Sequence, residues 1–236
     1  MMLLRLSGHS GAGKSRLTAA LPKYGISCPR AILYTSRQAR EGEVHGRDYY
    51  FLSRGAIAVL PKNDFLVGPV RDMLQAADLS QLEADLKANN LVLVEIFHGL
   101  WPELEIRIRE RLGDRLRTAS VFVTAVDPDL LRKMPDDKTR AEYIQGEVVK
   151  ILRWRNKDTP NKIQSRARSA VDEILSAMGP DGINLYDKMF YSAPEGPDGQ
   201  DEWTRESQPI GRAKQVLMEF IEFVKSVEHS NADIGK

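Results

Sequence analysis

Apolar residues in this chain gather in short runs, with longer stretches of mixed periodicity between them. Residues 2–6 (MLLRL), 30–35 (RAILYT), 91–97 (LVLVEIF) and 120–126 (SVFVTAV) are the compact runs. Their length, their branched residues and the turn formers around them predict buried strands, with 91–97 as a central strand of a parallel sheet. Helical spacing fills the intervals. A helix is expected over about 14–21, ending at Pro22 because proline cannot continue a helix interior. Another is expected over 72–89, where Leu79, Leu82 and Leu86 share a face, and a third over about 102–112 with Pro102 in its first turn. Residues 49–52 predict a short strand and 54–60 a short helix. Strands alternating with helices in this way predict an α/β fold of three layers around a central parallel sheet.

The second half continues the pattern. Residues 128–154 are charge-rich and helical, 155–160 break the helix, and 161–178 form another that ends before Gly179. A last strand is expected over 183–191. Residues 192–209, rich in Pro, Gly, Asp and Glu, predict a surface loop. Residues 211–229 close the chain as a helix with Val216, Leu217, Phe220, Phe223, Val224 and Val227 on its apolar side. The whole of 1–236 is expected to form one unit.

Composition narrows the setting. A chain of 236 residues with 42% hydrophobic and 28% charged side chains can bury a core without disulfides. The net charge of +1 neither requires nor excludes nucleic acid, and no basic track stands out. Cys28 is the single cysteine, which excludes an internal disulfide and a cysteine-based metal site. It is expected to act as a small buried apolar residue. No apolar stretch is long enough to span a membrane, and Arg5 interrupts the first apolar run, so that run reads as a strand rather than a leader. A cytoplasmic protein, monomer or homodimer, is expected.

Candidate chemistry begins directly after the first strand. Gly8-His9-Ser10-Gly11-Ala12-Gly13-Lys14-Ser15 matches the phosphate-loop pattern G-x-x-x-x-G-K-[ST] without a gap. Such a loop turns its backbone N–H groups toward the β- and γ-phosphates of a nucleotide. Gly8, Ser10, Gly11, Ala12, Gly13, Lys14 and Ser15 are therefore the expected ATP-binding residues. Lys14 would place its charge on the transferring phosphoryl group and Ser15 would give Mg²⁺ a hydroxyl ligand. His9 reads as a loop filler rather than a base.

A second motif lies in residues 35–51, TSRQAREGEVHGRDYYF. It resembles the guanylate kinase pattern T-T-R-x-P-R-x-G-E-x-x-G-x-D-Y-x-F that follows the second strand of that family. The resemblance implies an acceptor-binding region over 35–90, in which Arg37, Arg40 and Tyr49 hold the phosphate of a nucleoside monophosphate and Glu43 and Asp48 support the loop. Two arginine forks suit a phosphate dianion better than two lysines would. Residues 152–170, LRWRNKDTPNKIQSRARSA, resemble the family's lid, which places Arg155 and Arg166 as clamps on ATP within an extended linker and lid over 128–170. Asp158 coincides with a lid residue, and Arg168 and Lys157 are second-rank candidates.

The resemblance runs over roughly 3–192 and has three departures. The loop with which the family reads guanine has no clear glutamate here. Asp64 is a weak substitute, and Gln75-Ala76-Ala77 stands near the family's Y-G-T. In the strand LVLVEIF the family's aspartate becomes Phe97, while Glu95 remains as a candidate for the acceptor or for Mg²⁺. Residues 130–150 are longer than the usual link, and Ser192 stands where an N-D-D-like stretch is expected. Trp101 and Trp154 are expected to be packing residues. The resemblance implies an ATP-dependent nucleoside monophosphate kinase with altered base specificity. Two other readings remain open. One is a kinase for a sugar phosphate such as ribose bisphosphate or for a modified nucleotide. The other is a non-catalytic, protein-binding module.

Overall fold

The computed structural model describes residues 1–154, 158–179, 185–192 and 209–229. The elements in chain order are β1 (Met2–Ser7), α1 (Lys14–Ala20), β2 (Tyr34–Thr35), β3 (Tyr50–Phe51), α2 (Arg54–Ala58), β4 (Phe65–Val70), β5 (Met73–Asp78), α3 (Leu79–Ala88), β6 (Leu91–Val94), α4 (Trp101–Leu112), β7 (Arg117–Thr124), α5 (Pro128–Arg132), α6 (Asp137–Trp154), α7 (Pro160–Met178), β8 (Lys188–Tyr191) and α8 (Gly211–His229). The fold class is α/β, as the sequence predicts. Four strands form one sheet in the order β6-β1-β7-β8, with β1 parallel to β6 and β7 parallel to β8. The chain divides into two compact units, and β1 and β7 run through both.

The first unit holds Met1–Arg5 and Ser27–Ala119. Residues 2–5 of β1 pair with β6, whose four residues are all buried, as the unbroken apolar run requires. On the other side of β6, Ala31 N–H donates to the Leu93 carbonyl at 2.8 Å and Leu93 N–H donates to the Pro29 carbonyl at 2.9 Å. The expected strand 30–35 is thus divided. Its start lies along β6, and its end, β2, joins a second sheet of order β3-β2-β5-β4. β6 is therefore the outermost strand of its sheet, and residues 29–31 cover its free side.

The expected helix over 72–89 is also corrected. Residues 73–78 are β5, which pairs antiparallel with β4 and β2, and the helix α3 begins only at Leu79. Asp78 sets that start, because its carboxylate accepts the N–H groups of Ser80 at 3.0 Å and Gln81 at 2.9 Å. Leu79, Leu82 and Leu86 of α3 and Leu104, Ile108 and Leu112 of α4 join Leu3, Val92 and Val94 in one core. Arg5 is buried in β1 with its guanidinium 5.3 Å from the buried Trp101 ring. Cys28 is half-buried, and burial, aided by the Glu228 carboxylate, pushes its thiol up to about 12.

The β4–β5 turn carries the one non-glycine residue of left-handed backbone among the described residues, Arg71 at φ 59°. Two-residue hairpin turns favour Gly or Asn at such positions. Arg71→Asn is expected to raise stability by about 0.5 kcal/mol, since Asn tolerates this conformation and gives the unfolded chain no extra freedom. A urea midpoint equal to or below that of the parent chain would show that the turn is not strained.

The second unit holds Leu6–Ile26 and Ser120–Val227. Phe122 and Val126 carry a core built from Ile144, Val148 and Leu152 of α6 and Ile163, Ala167, Ala170 and Ile174 of α7. The helical segment expected over 128–154 is two helices, with Asp127 capping the first by accepting Asp129 N–H at 2.9 Å. α7 and α8 match the expected helices, and Val216, Leu217, Phe220 and Val224 are buried. The last strand is confined to β8, while residues 180–184 and 193–208 lie outside the described residues, so most of the expected 192–209 loop does too. Trp154 is 42% exposed and is not the packing residue expected. Among the described residues no helix is long and apolar enough to cross a membrane.

Candidate functional site

In the second unit, the chain leaves β1 at Ser7 and turns at Gly8, whose φ is +146°. A Cβ at Gly8 would stand 2.2 Å from the Val123 carbonyl oxygen, so β7 leaves no room for a side chain. His9 comes next and is fully buried. Its Nε2 accepts the Ala125 N–H at 2.9 Å. That bond fixes the tautomer, because an amide N–H can only donate. Nδ1 then carries the proton and donates to the Ser10 carbonyl at 2.9 Å. Burial, with Lys14 adding to it against the Ser10 bond, lowers the His9 pKa to about 4. The loop filler expected from sequence is in fact the anchor of the loop.

A second anchor is Ser192. Its hydroxyl donates to the Ala12 carbonyl, and its N–H donates to the Thr124 carbonyl at 2.8 Å. Gly13 is the N-cap of α1. Lys14 Nζ donates to the Gly8 carbonyl at 2.5 Å and to the His9 carbonyl at 3.2 Å, which folds the ammonium over the loop. Ser15, in the first turn of α1, is exposed, and Ser10 and Gly11 are partly so.

In the first unit, residues 35–51 build a charged cluster around Tyr49. Arg37 meets Glu43 through two parallel bonds, Nη1 to Oε2 at 2.5 Å and Nη2 to Oε1 at 2.7 Å. Glu43 Oε2 also accepts the Arg40 N–H at 2.7 Å, so one carboxylate fixes both the guanidinium and the turn. Burial works against the charged form of Glu43, yet the bonds from Arg37 and Arg40 hold its pKa below the usual carboxylate range. Arg40 is exposed. The Arg37 guanidinium lies 4.9 Å from the Tyr49 ring and 5.3 Å from the Phe51 ring. Asp48 accepts the Val44 N–H at 2.8 Å and the Arg47 Nε–H at 3.0 Å, and these bonds depress its pKa. Burial, then the charge of Glu95, push the Tyr49 phenol up, against the pull of Arg30, Arg37 and Arg40.

Glu95 follows β6 and pairs with Arg30 at 3.6 Å. Gln75 on β5 accepts the Phe97 N–H at 3.2 Å through Oε1, so its amide oxygen is already used. Asp64, the weak substitute for a base reader, is 57% exposed and faces Arg111 of α4 at 3.9 Å.

Of the lid candidates, Arg155 and Lys157 lie outside the described residues. Arg166, on α7, donates to the Asp158 carboxylate, and Arg168 is exposed. Among the described residues no three His, Cys, Asp or Glu side chains gather as a metal cage.

Sequence comparisons place these residues within a family. The family profile described as guanylate kinase matches residues 1–91, which hold both the phosphate loop and the Arg37–Tyr49 motif. A guanylate kinase of Chromobacterium violaceum is 45% identical over 167 residues, covering 70% of this chain and 68% of that protein. One of Rhodopirellula baltica is 30% identical over 194 residues, covering 67% and 90%. The chain belongs to the guanylate kinase family. A Lactobacillus delbrueckii subsp. bulgaricus guanylate kinase, 34% identical, aligns over 48% of this chain, and this chain spans 65% of that relative's length. The guanylate kinase structure from Anaplasma phagocytophilum, at 17% identity and a TM-score of 0.39, covers 78% of this chain and 89% of its own. That overlap adds nothing to the sequence matches. Within this guanylate kinase family member, sequence reasoning missed Arg30, His9 and Ser192. The family pattern names none of them, and each acts on a partner far along the chain.

Proposed function

We propose that this chain transfers the γ-phosphoryl group of ATP to the phosphate of a nucleoside monophosphate, with a base preference altered from guanine. The observation that carries this is the Arg37 guanidinium, only 14% exposed and held by Glu43 in a bidentate pair beside Tyr49. An ordinary surface arginine is not preorganised in this way, whereas a phosphate-binding one benefits from it. Arg37, Arg40 and Tyr49 would hold the acceptor phosphate, and Gly8 to Ser15 the phosphates of ATP, with Lys14 turning from its loop carbonyls to the γ-phosphate. Arg166, and Arg155, would close on ATP and limit hydrolysis.

The residues fit a Mg²⁺ ion that arrives with the nucleotide. Ser15 offers an exposed hydroxyl beside Lys14, and the described residues offer no cage to hold the metal without phosphates. When bound, the ion offsets phosphate charge. Glu95 is paired with a guanidinium, so we place it with the acceptor and not with the metal. The altered base preference is supported by Phe97 in place of a carboxylate, by Gln75 being engaged with Phe97 and by Asp64 facing Arg111. A site built to bond a base edge rejects bases lacking the matching groups, and these substitutions remove such groups.

The test is Mg-ATP with a panel of ribo- and deoxyribonucleoside monophosphates, including 5-substituted pyrimidines, with product detection and a Lys14→Ala control. Selective phosphorylation of a monophosphate other than GMP or dGMP is expected. Preference for GMP or dGMP would remove the altered specificity and keep the reaction. Absence of any Lys14-dependent product would remove the reaction itself.

A further inference from the structure

We infer that Arg30 is a positioning residue for the anion site around Tyr49. It neutralises Glu95 and ties the end of β6 to the 47–49 loop, so that the site accepts a phosphate dianion. This rests on the reading of the Arg37–Tyr49 cluster as the acceptor's phosphate site.

The backbone of Arg30 is fixed by its bridge to Leu93, with hydrogen bonds from the residues on either side. From that point its guanidinium reaches two separate pieces of chain, the 47–49 loop and the end of β6. It donates to the Asp48 carbonyl at 2.7 Å and the Arg47 carbonyl at 3.3 Å. It faces the Glu95 carboxylate at 3.6 Å. It also stands 5.7 Å from the Tyr49 ring. A lysine could supply the charge but not this fork of simultaneous bonds. Among the described residues the Tyr49 hydroxyl has no hydrogen-bond partner, although the ring is packed into the cluster. The hydroxyl is thus available to an incoming oxygen.

Glu95 is the charge that this site must tolerate. Its side chain is 16% exposed, so solvent screens it weakly, and it is close enough to Tyr49 to act on the phenol. An unpaired carboxylate there would repel a phosphate, and the Arg30 partner offsets part of that repulsion while holding the 47–49 loop in register. Arg30 acts through Glu95 and the loop, while Arg37 and Arg40 are the groups expected to touch the phosphate.

The measurement is inorganic phosphate titrated into the full chain by calorimetry, for the parent chain, Arg30→Met, Glu95→Gln and the double variant, each checked for folding by thermal melting. Arg30→Met is expected to weaken phosphate binding about tenfold, as loss of a half-buried charge partner does. Glu95→Gln is expected to tighten binding, and the double variant to recover most of what Arg30→Met loses. A merely structural arginine predicts a loss in Arg30→Met that Glu95→Gln does not recover, and that result would overturn the proposal. If Arg30→Met fails to fold, Arg30→Gln takes its place in the same cycle, with the same loss and the same recovery by Glu95→Gln expected. The kinase panel is scored separately. A chain that shows this phosphate pattern but phosphorylates no monophosphate loses the proposed reaction and keeps the Arg30 result. A chain that phosphorylates a monophosphate while Arg30→Met binds phosphate like the parent loses only the Arg30 result.

Discussion

Gly8→Ala is expected to abolish nucleotide binding and to cost far more stability than the same change at Gly42. The new Cβ would lie 2.2 Å from the Val123 carbonyl oxygen, a backbone atom of β7 that cannot swing aside. The φ of +146° adds its own strain for any residue with a Cβ. Together these amount to roughly 3–5 kcal/mol, a large part of the stability of an ordinary domain. Gly42→Ala is the control, since Gly42 also has a positive φ, +81°, but a Cβ there meets nothing within 4 Å. It is expected to cost only about 1 kcal/mol and to leave ATP binding intact. Urea unfolding together with titration of a fluorescent ATP analogue separates the two variants. Parent-like ATP affinity in Gly8→Ala would mean that the loop can be displaced from β7 without consequence.

The second large effect concerns His9 and has a definite sign. The folded chain refuses a proton on His9 down to about pH 4, whereas the unfolded chain accepts it near 6.5. Below 6.5 the unfolded state therefore binds more protons, and stability falls as pH falls, until the loss levels off near pH 4. Protonation would put a hydrogen on Nε2, the atom that now accepts the Ala125 N–H. Between pH 7 and pH 5 this one group is expected to remove about 2 kcal/mol of stability. His9→Asn is expected to lower stability at pH 7, because part of the anchoring is lost, and to flatten the slope between pH 7 and pH 5 by about that amount. Urea midpoints at the two pH values give the comparison, and the other acid-titrating groups cancel between parent and variant. An unchanged slope in the variant would show that His9 is not the group responsible.

What could be read in advance follows from the range of the forces involved. β1, the phosphate loop and α1 were legible because their constraints are local: an apolar run, glycines and a lysine at fixed offsets. The Arg37–Tyr49 loop was legible for the same reason, since Glu43 and Asp48 satisfy partners only a few residues away. Residues 73–78 were not. Met, Leu, Gln and Ala favour a helix, and only pairing with β4 and β2 makes them a strand. The capping carboxylate of Asp78 was the signal that could have divided the segment. Arg30 was read as the polar start of a strand, since nothing local indicates that its guanidinium reaches Asp48 and Glu95. His9 and Ser192 were opaque for the same reason, because both anchor the phosphate loop through the distant end of β7.

The raised thiol of Cys28 has a practical consequence. With its pKa at about 12, this single native cysteine is almost wholly protonated at neutral pH, and maleimides react through the thiolate. A cysteine introduced at an exposed position, such as Val59, which is 80% exposed, would therefore take a dye selectively without prior removal of Cys28. A second dye site at the exposed Lys150 would place one fluorophore in each compact unit. Each dye would then report on its own unit as nucleotides are titrated.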